Sequence, residues 1–192
     1  MSKIDFINAA LANLGEQQIA SLGPNASDET KTYSKIYDTV YPIILGKQKW
    51  SFTRNFAQLS KLTNADKFEQ FQYAYQLPND YLLIDTIYPL TYYQIIGDKI
   101  YASNNGKLTL IYYSKNVEDQ YLPPYFVEFL IAELTYRFAM SVTQAPALVQ
   151  QWIEVSQSAF KRACVSDAQN QTSSRFIPDD PMIKSRHGVY IA

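Results

Sequence analysis

The sequence predicts an α+β fold: a helical bundle of about four helices, an inserted, mainly antiparallel β subdomain and an extended C-terminal tail. Two changes of periodicity along the 192 residues carry this prediction. Apolar residues recur with the helical period on either side of a middle region that alternates like a set of strands. A final stretch follows neither period. We therefore expect a helical domain from residues 1–50 and 121–172, a β insertion at 51–120 and a tail at 173–192.

Four segments carry the apolar stripe of an amphipathic helix. They are expected to span residues 3–14, 27–48, 124–142 and 146–168. Ser2 and Asp5 have the spacing of a capping box at the start of the first helix. Pro42 lies inside the second helix and is expected to kink it or to end it early, because proline removes a backbone donor. The third helix is apolar over more than half of its surface, so we expect it at the centre of the bundle.

The last helix is expected to bury a face of small and apolar residues. This face comprises Leu148, Trp152, Val155, Ala159, Ala163 and Val165. The single cysteine, Cys164, lies on the same helix. One cysteine excludes an intrachain disulfide, and we expect Cys164 to act as a small buried side chain.

The β region opens with a strand, a corner and a second strand between Phe71 and Ile84. Tyr73, Tyr75 and Leu77 alternate with polar or small residues, which predicts a strand with one buried face. Pro78-Asn79-Asp80 follows, and a proline that lacks an N–H group ends the ladder at a turn. This unit marks the change from helical to strand periodicity.

Weaker signals divide the rest of the β region. Residues 61–69 are polar and are expected to form a loop. The spacing from Tyr92 to Ala102 predicts a hairpin around Gly97-Asp98, and Asn104-Asn105-Gly106 has the composition of a further turn. Lys107 to Ser114 is the strongest strand pattern in the chain. Its expected buried face consists of Leu108, Leu110 and Tyr112.

Composition excludes several classes of protein. The net charge is −1, without a basic excess, which argues against a protein that neutralises many phosphates. No stretch reaches the roughly 18 apolar residues of a membrane span, so we expect a soluble protein made in a cytosol, with no membrane contact. The chain has 16 tyrosines and 10 phenylalanines against 2 tryptophans. Tyrosine suits surfaces that are exposed before assembly, although it also favours strands and half-buried helix faces.

Few residues are suited to catalysis. The one histidine, His187, lies near the C-terminus, far along the chain from Cys164. Asp179 and Asp180 sit between two prolines and are expected to be solvated rather than to bind a metal. No glycine-rich phosphate-binding motif occurs. We therefore expect no enzyme activity, no metal site and no cofactor.

The tail keeps seven sizeable apolar side chains although it lacks periodicity. Flexible linkers are usually rich in glycine, serine or charge, so we expect these side chains to anchor the tail on a partner protein. The expected partner-binding residues are Phe176, Ile177, Met182, Ile183, Arg186 and Tyr190. The alternative is that the tail packs against its own domain.

Several of these segments resemble, in their order, the tail tubular protein A family, the head-to-tail adaptors of short-tailed, podovirus-like bacteriophages. The resemblance covers about residues 4 to 170. It rests on the opening helix and turn at Ile7 to Ser21, a second helix leading to Trp50-Ser51-Phe52, the strand and corner from Tyr73 to Leu82, and Pro123-Pro124-Tyr125-Phe126 opening a long helix. The tail from Ser173 onward has no match.

The resemblance implies a structural virion protein without catalytic residues. Members of the tail tubular protein A family form a homo-oligomeric ring of about twelve subunits at the head-tail junction, between the portal protein and the tail nozzle protein. DNA passes through the channel of the ring without sequence-specific binding. A different class, a small-ligand or carbohydrate-binding module that uses a tyrosine-rich sheet for stacking, remains the main alternative to this interpretation.

Overall fold

The computed structural model describes residues 1–23, 26–63, 71–142 and 145–170. It confirms the α+β fold, with four helices and antiparallel sheets in these ranges. The helices are α1 (Lys3–Ala12), α2 (Asp28–Gly46), α3 (Pro124–Val142) and α4 (Pro146–Asn170). The strands are β1 (Arg54–Gln58), β2 (Lys61–Leu62), β3 (Tyr73–Gln76), β4 (Tyr81–Tyr88), β5 (Tyr93–Ile96), β6 (Lys99–Ala102) and β7 (Thr109–Ser114). Short 3-10 turns at Ser51–Thr53 and Asp119–Tyr121 flank the β region.

Helix α1 starts at the predicted capping box. The Ser2 backbone N–H donates to Asp5 Oδ2 at 2.7 Å, and the Ser2 hydroxyl donates to the same oxygen at 2.9 Å. These hydrogen bonds lower the pKa of Asp5. Asn8 on the same helix fixes the connector that follows, because its side chain donates to the Ile19 carbonyl oxygen and accepts from the Ile19 N–H.

Helix α2 does not end at its internal proline, so the prediction of an early end was wrong. It runs past Pro42 to Gly46. Proline removes one helical hydrogen bond, but the buried side chains of Val40 and Ile44 hold the last turns against the core. At the helix end the indole N–H of Trp50 donates to the Ile44 carbonyl oxygen at 3.1 Å. The same oxygen accepts from the Lys47 N–H at 3.3 Å, so the indole is a second donor to a carbonyl group in the last turn of the helix.

Helix α3 is the centre of the bundle, as predicted, and it packs against the other three helices. Five of its large apolar side chains have no solvent exposure. These are Phe126, Phe129, Leu130, Leu134 and Phe138. The ring of Trp50, also fully buried, contacts Phe126 edge-on at 5.2 Å between centroids.

Helix α4 presents a different face to α3 from the one expected. Ala159 and Ala163 are buried as predicted, but Val155 and Val165 are exposed, Val165 to 60%. The buried stripe instead includes the polar residues Ser156 and Asp167. Cys164 is half-buried at the border of this stripe.

The strands form two antiparallel sheets, in the orders β1-β7-β4 and β2-β3-β6-β5. The Pro78–Asp80 corner joins β3 to β4 and so carries the chain from the second sheet to the first. The two sheets share one core, to which the first contributes Leu110 and Tyr112 and the second contributes Tyr75 and Ile100. The buried face predicted for β7 is confirmed.

Several local predictions in the β region need correction. Lys61–Leu62, expected in a loop, forms the edge strand β2 beside β3. The Asn104–Gly106 turn leads from β6 into the other sheet and closes no hairpin, whereas the hairpin around Gly97 is confirmed. Strand β3 is covered on both faces, because Ala74 packs with Phe71 and Tyr101 on the side opposite the shared core.

Candidate interaction surface

The four sheet edges differ in how well they are protected against pairing with another strand. Edge β2 is two residues long and carries Lys61, whose ammonium group lies over the Tyr73 ring at 4.3 Å. Edge β4 is interrupted by two register shifts against β7. Short, charged or bulged edges are the usual means by which proteins prevent edge-to-edge association.

Edge β1 is protected by a side chain. The Leu59 N–H donates to the Leu108 carbonyl oxygen. The backbone N–H and C=O groups of the odd-numbered residues of β1 therefore point toward β7, and the N–H of Phe56 points away from it. The Asn55 side-chain oxygen accepts that outward N–H at 2.8 Å. The edge is therefore partly blocked, although the Phe56 ring is 75% exposed.

Edge β5 has none of these protections. The Ser103 N–H donates to the Tyr92 carbonyl oxygen. The backbone N–H and C=O groups of the even-numbered residues of β5 therefore point toward β6. Tyr93 and Ile95 therefore turn their N–H and C=O groups outward. Within the described part of the chain nothing hydrogen-bonds to these outward groups. Edge β5 is a regular, open strand edge.

The segment leading into β5 is the most exposed apolar stretch of the β subdomain. We call Tyr88–Ile96 the β5 surface. Its exposed large side chains are Tyr88, Leu90 (81%), Tyr92 (85%), Tyr93, Ile95 and Ile96. No charged residue occurs from Thr86 to Gly97. Contiguous exposed apolar groups of this kind mark interaction sites.

The sequence itself contains a signal for this surface. Tyr92-Tyr93 and Ile95-Ile96 place apolar residues on both alternating faces of one short strand. A strand with one face on a core and the other in water needs only one apolar face. An uncharged strand that is apolar on both faces and lies at a sheet edge therefore indicates a contact beyond the subunit.

A second exposed apolar surface lies on the helical domain. An open groove of about 560 Å³ runs between α2 and α3, with Ile36, Val40 and Met140 among its lining residues. Met140 is 64% exposed and Ile43, nearby in sequence to Val40 on α2, is 48% exposed. Lys35 and Arg137 supply the charged part of the lining. We call this the α2–α3 groove.

Most of the sheet tyrosines pack inside the protein and form no open stacking platform. Tyr75 and Tyr112 are 1% and 3% exposed. The Tyr75 hydroxyl donates to the Asn104 carbonyl oxygen at 2.8 Å. The pKa of Tyr112 is raised to about 12, mainly by burial and to a smaller extent by the hydrogen bond to the Asp80 carboxylate. Both hydroxyl groups serve the fold rather than a ligand.

The buried carboxylates likewise have structural partners. Glu133 on α3 accepts hydrogen bonds from Lys47 Nζ and Arg137 at 3.0 Å each, and from the Ser156 hydroxyl at 2.6 Å. Asp167 on α4 accepts hydrogen bonds from Ser51 and from the Tyr125 hydroxyl. These contacts join α2, α3, α4 and the start of the β region.

The described residues offer little for catalysis. They contain no group of three or more histidine, cysteine or acidic side chains that could hold a metal ion. Burial raises the pKa of the Cys164 thiol, which disfavours the nucleophilic thiolate. None of the described helices is long and apolar enough to cross a membrane.

The partner-binding residues predicted in the tail all lie outside the described residues. They are Phe176, Ile177, Met182, Ile183, Arg186 and Tyr190. The same holds for His187, Asp179 and Asp180. The surfaces that the structure does describe, the β5 surface and the α2–α3 groove, were not singled out from the sequence.

Comparisons with known proteins give no relative to set beside these surfaces. A scan of protein-family models finds no match to the chain, and a search of curated proteins finds none.

Proposed function

We propose that the protein is a structural virion protein, a head-to-tail adaptor similar to tail tubular protein A. It forms a ring between portal and tail nozzle and continues the channel for DNA. The observation that carries the proposal is the pair of separate apolar surfaces, one on the helical domain and one on the β subdomain. A ring needs two different faces that fit each other, and an adaptor needs further surfaces for the components above and below it.

The α2–α3 groove supports a lateral contact. It is apolar at Met140, Ile36 and Val40 and carries two cationic side chains, a composition that suits a neighbouring subunit with apolar and acidic groups. The net charge of −1 adds little repulsion to subunits that pack side by side. The β5 surface then remains for the next component of the tail.

The proposal is tested by the mass of the assembly. Native mass spectrometry and negative-stain microscopy of the purified protein, alone and mixed with the portal of the same phage, should reveal a closed ring of about twelve subunits in at least one of the two samples. A ring that appears only on the portal also satisfies the proposal. Absence of a ring both alone and on the portal would refute it.

The alternative, a tyrosine-rich small-ligand or carbohydrate-binding module, is less well supported. A stacking platform requires exposed aromatic rings, but Tyr75, Tyr101, Tyr112 and Tyr113 are all buried. The exposed rings of Tyr88, Tyr92 and Tyr93 lie beside Leu90, Ile95 and Ile96 on the β5 surface, where contiguous apolar side chains favour a protein contact. Saturation-transfer NMR with a panel of mono- and oligosaccharides tests this alternative, and broadening of exposed aromatic signals on ligand addition would favour it over the adaptor.

A further inference from the structure

The β5 edge has the geometry of a surface that pairs with itself. An antiparallel partner must place its own outward-facing residues opposite Tyr93 and Ile95. A second β5 strand meets this condition when a two-fold axis that passes between the two Gln94 residues relates it to the first. Tyr93 of each copy then lies opposite Ile95 of the other, and Tyr92 lies opposite Ile96.

The cross-strand pairs in this register are favourable. Aromatic residues opposite β-branched residues are stabilising neighbours in antiparallel sheets, and the arrangement produces four such pairs around the axis. The two Gln94 side chains lie side by side, where amide groups can hydrogen-bond to each other. No other residue of β5 is polar.

Electrostatics do not oppose the contact. Antiparallel pairing centred on Gln94 places residues 91–97 of the two copies opposite each other, and none of these residues is charged. The nearest charged residue in the hairpin is Asp98, which lies opposite Leu90 in this register. Like charges, which destabilise strand pairs when they lie directly opposite, are therefore absent from the contact.

We propose that the free protein is a two-fold dimer in which two β5 strands pair and join two four-stranded sheets into one. The contact uses the same patch on both copies, so it produces pairs and no ring. It covers, before assembly, the one strand edge that lacks protection among the strands of the described residues. The inference stands apart from the proposed ring, which requires other, heterologous contacts.

The test exploits the position of Gln94 on the axis. The side chain is exposed, so Gln94→Lys and Gln94→Glu should fold as the wild type does, which circular dichroism checks. Each variant brings two like charges together across the axis and should be monomeric. Analytical ultracentrifugation should give about 22.0 kDa for each variant and twice that mass for the wild type. Mixing the two variants places opposite charges together and should restore the dimer.

Gln58→Lys on edge β1 is the matched control, since it adds the same charge at another exposed strand position and should remain dimeric. A monomeric wild type would overturn the proposal. A Gln94→Lys variant that stays dimeric, or a mixture that stays monomeric, would do the same. A wild-type ring that persists in Gln94→Lys would reject the β5 dimer while leaving the adaptor function standing.

Discussion

Asp167 and Ser51 are joined by three hydrogen bonds although 116 residues separate them along the chain. The Ser51 N–H lies 3.0 Å from both carboxylate oxygens of Asp167, and the Ser51 hydroxyl donates to Oδ1 at 2.7 Å. Ser51 is the first residue of the short 3-10 turn that leads directly into β1. The side chain of Asp167 on α4 therefore fixes the point at which the chain enters the β subdomain.

Replacing Asp167 by alanine should destabilise the protein strongly. The change removes the acceptor for the Ser51 groups and for the Tyr125 hydroxyl, and each buried polar group left without a partner costs about 1–3 kcal/mol. We expect the free energy of unfolding, measured by urea denaturation, to fall by about 3–5 kcal/mol.

Asp38→Ala serves as the control for this experiment. Asp38 also makes an ion pair, with Lys3, but its side chain is 62% exposed. An exposed pair contributes about 0–1 kcal/mol. Equal effects of the two substitutions would show that the Asp167 contacts do not hold the two parts of the chain together.

Glu133 should make stability depend on pH in the acid range. Burial raises its pKa, but hydrogen bonds from Ser156, Lys47 and Arg137 outweigh burial, so the pKa lies below the ordinary value of 4.5. A carboxyl group whose pKa is lowered by folding stabilises the folded state above its unfolded pKa. That stabilisation is lost as the pH falls below about 4.5 toward the pKa of the folded state.

Glu133→Gln tests this dependence. At about pH 6 the variant should be less stable than the wild type, because Lys47 and Arg137 lose a buried anionic partner. Between about pH 5 and pH 3 the stability of the variant should decline less steeply than that of the wild type. Asp38→Asn, an exposed control, should keep the wild-type slope. Parallel slopes for Glu133→Gln and wild type would contradict the assignment.

Tyr112 should hold the corner between β3 and β4. Its hydroxyl donates toward the Asp80 carboxylate, with both oxygens at 3.0 Å, and the Ser114 hydroxyl donates to Asp80 Oδ2 at 2.7 Å. Tyr112→Phe removes one hydrogen bond to a charged acceptor and should lower the free energy of unfolding by about 1.5–3 kcal/mol. Tyr121→Phe, at a ring that is 66% exposed and outside the proposed contacts, should change it by less than about 0.5 kcal/mol. An unchanged free energy of unfolding in Tyr112→Phe would show that Ser114 alone holds the corner in place.

The sequence predicted the helices and strands of this fold better than the contacts between them. Periodicity located the four helices and the strand–corner–strand unit because burial of one face imposes a repeat on each element. It did not reveal that the Pro78–Asp80 corner changes sheets, since strand pairing joins residues far apart in sequence. Polar residues such as Glu133 and Asp167 also escaped notice, because their burial depends on partners supplied by other elements. The open β5 edge becomes visible only once the strand order is known.

The α2–α3 groove should take part in ring formation. Met140→Glu places a charge on its exposed apolar side chain, and burial of that charge in a subunit contact would be costly. We expect the variant to fold normally but to form fewer rings, alone or on the portal, in native mass spectrometry. Gln157→Glu, at an exposed position of α4, is the control with an added negative charge. Normal ring yield from Met140→Glu would exclude the groove as the lateral contact.

The C-terminal segment should matter for attachment rather than for folding. The described residues, which end at Asn170, already contain a helical core and a core between the sheets. An apolar anchor contributes about 1.5–3 kcal/mol on burial, whereas fixing the backbone costs about 1–2 kcal/mol per residue. We therefore expect the anchors of residues 173–192 to bind a partner only together with added backbone hydrogen bonds.

Deleting residues 173–192 should accordingly leave the melting temperature nearly unchanged and weaken co-sedimentation of the protein with portal rings. A full-length variant with Phe176→Ser, Ile177→Ser and Tyr190→Ser should show the same loss of binding, because it keeps the chain length and removes the anchors. A variant with Asp179→Ser and Asp180→Ser alters the same segment without touching the anchors, and it should bind normally. Unfolding on truncation would assign the segment to the core of its own subunit, and undiminished binding by the truncated protein would rule out a docking role.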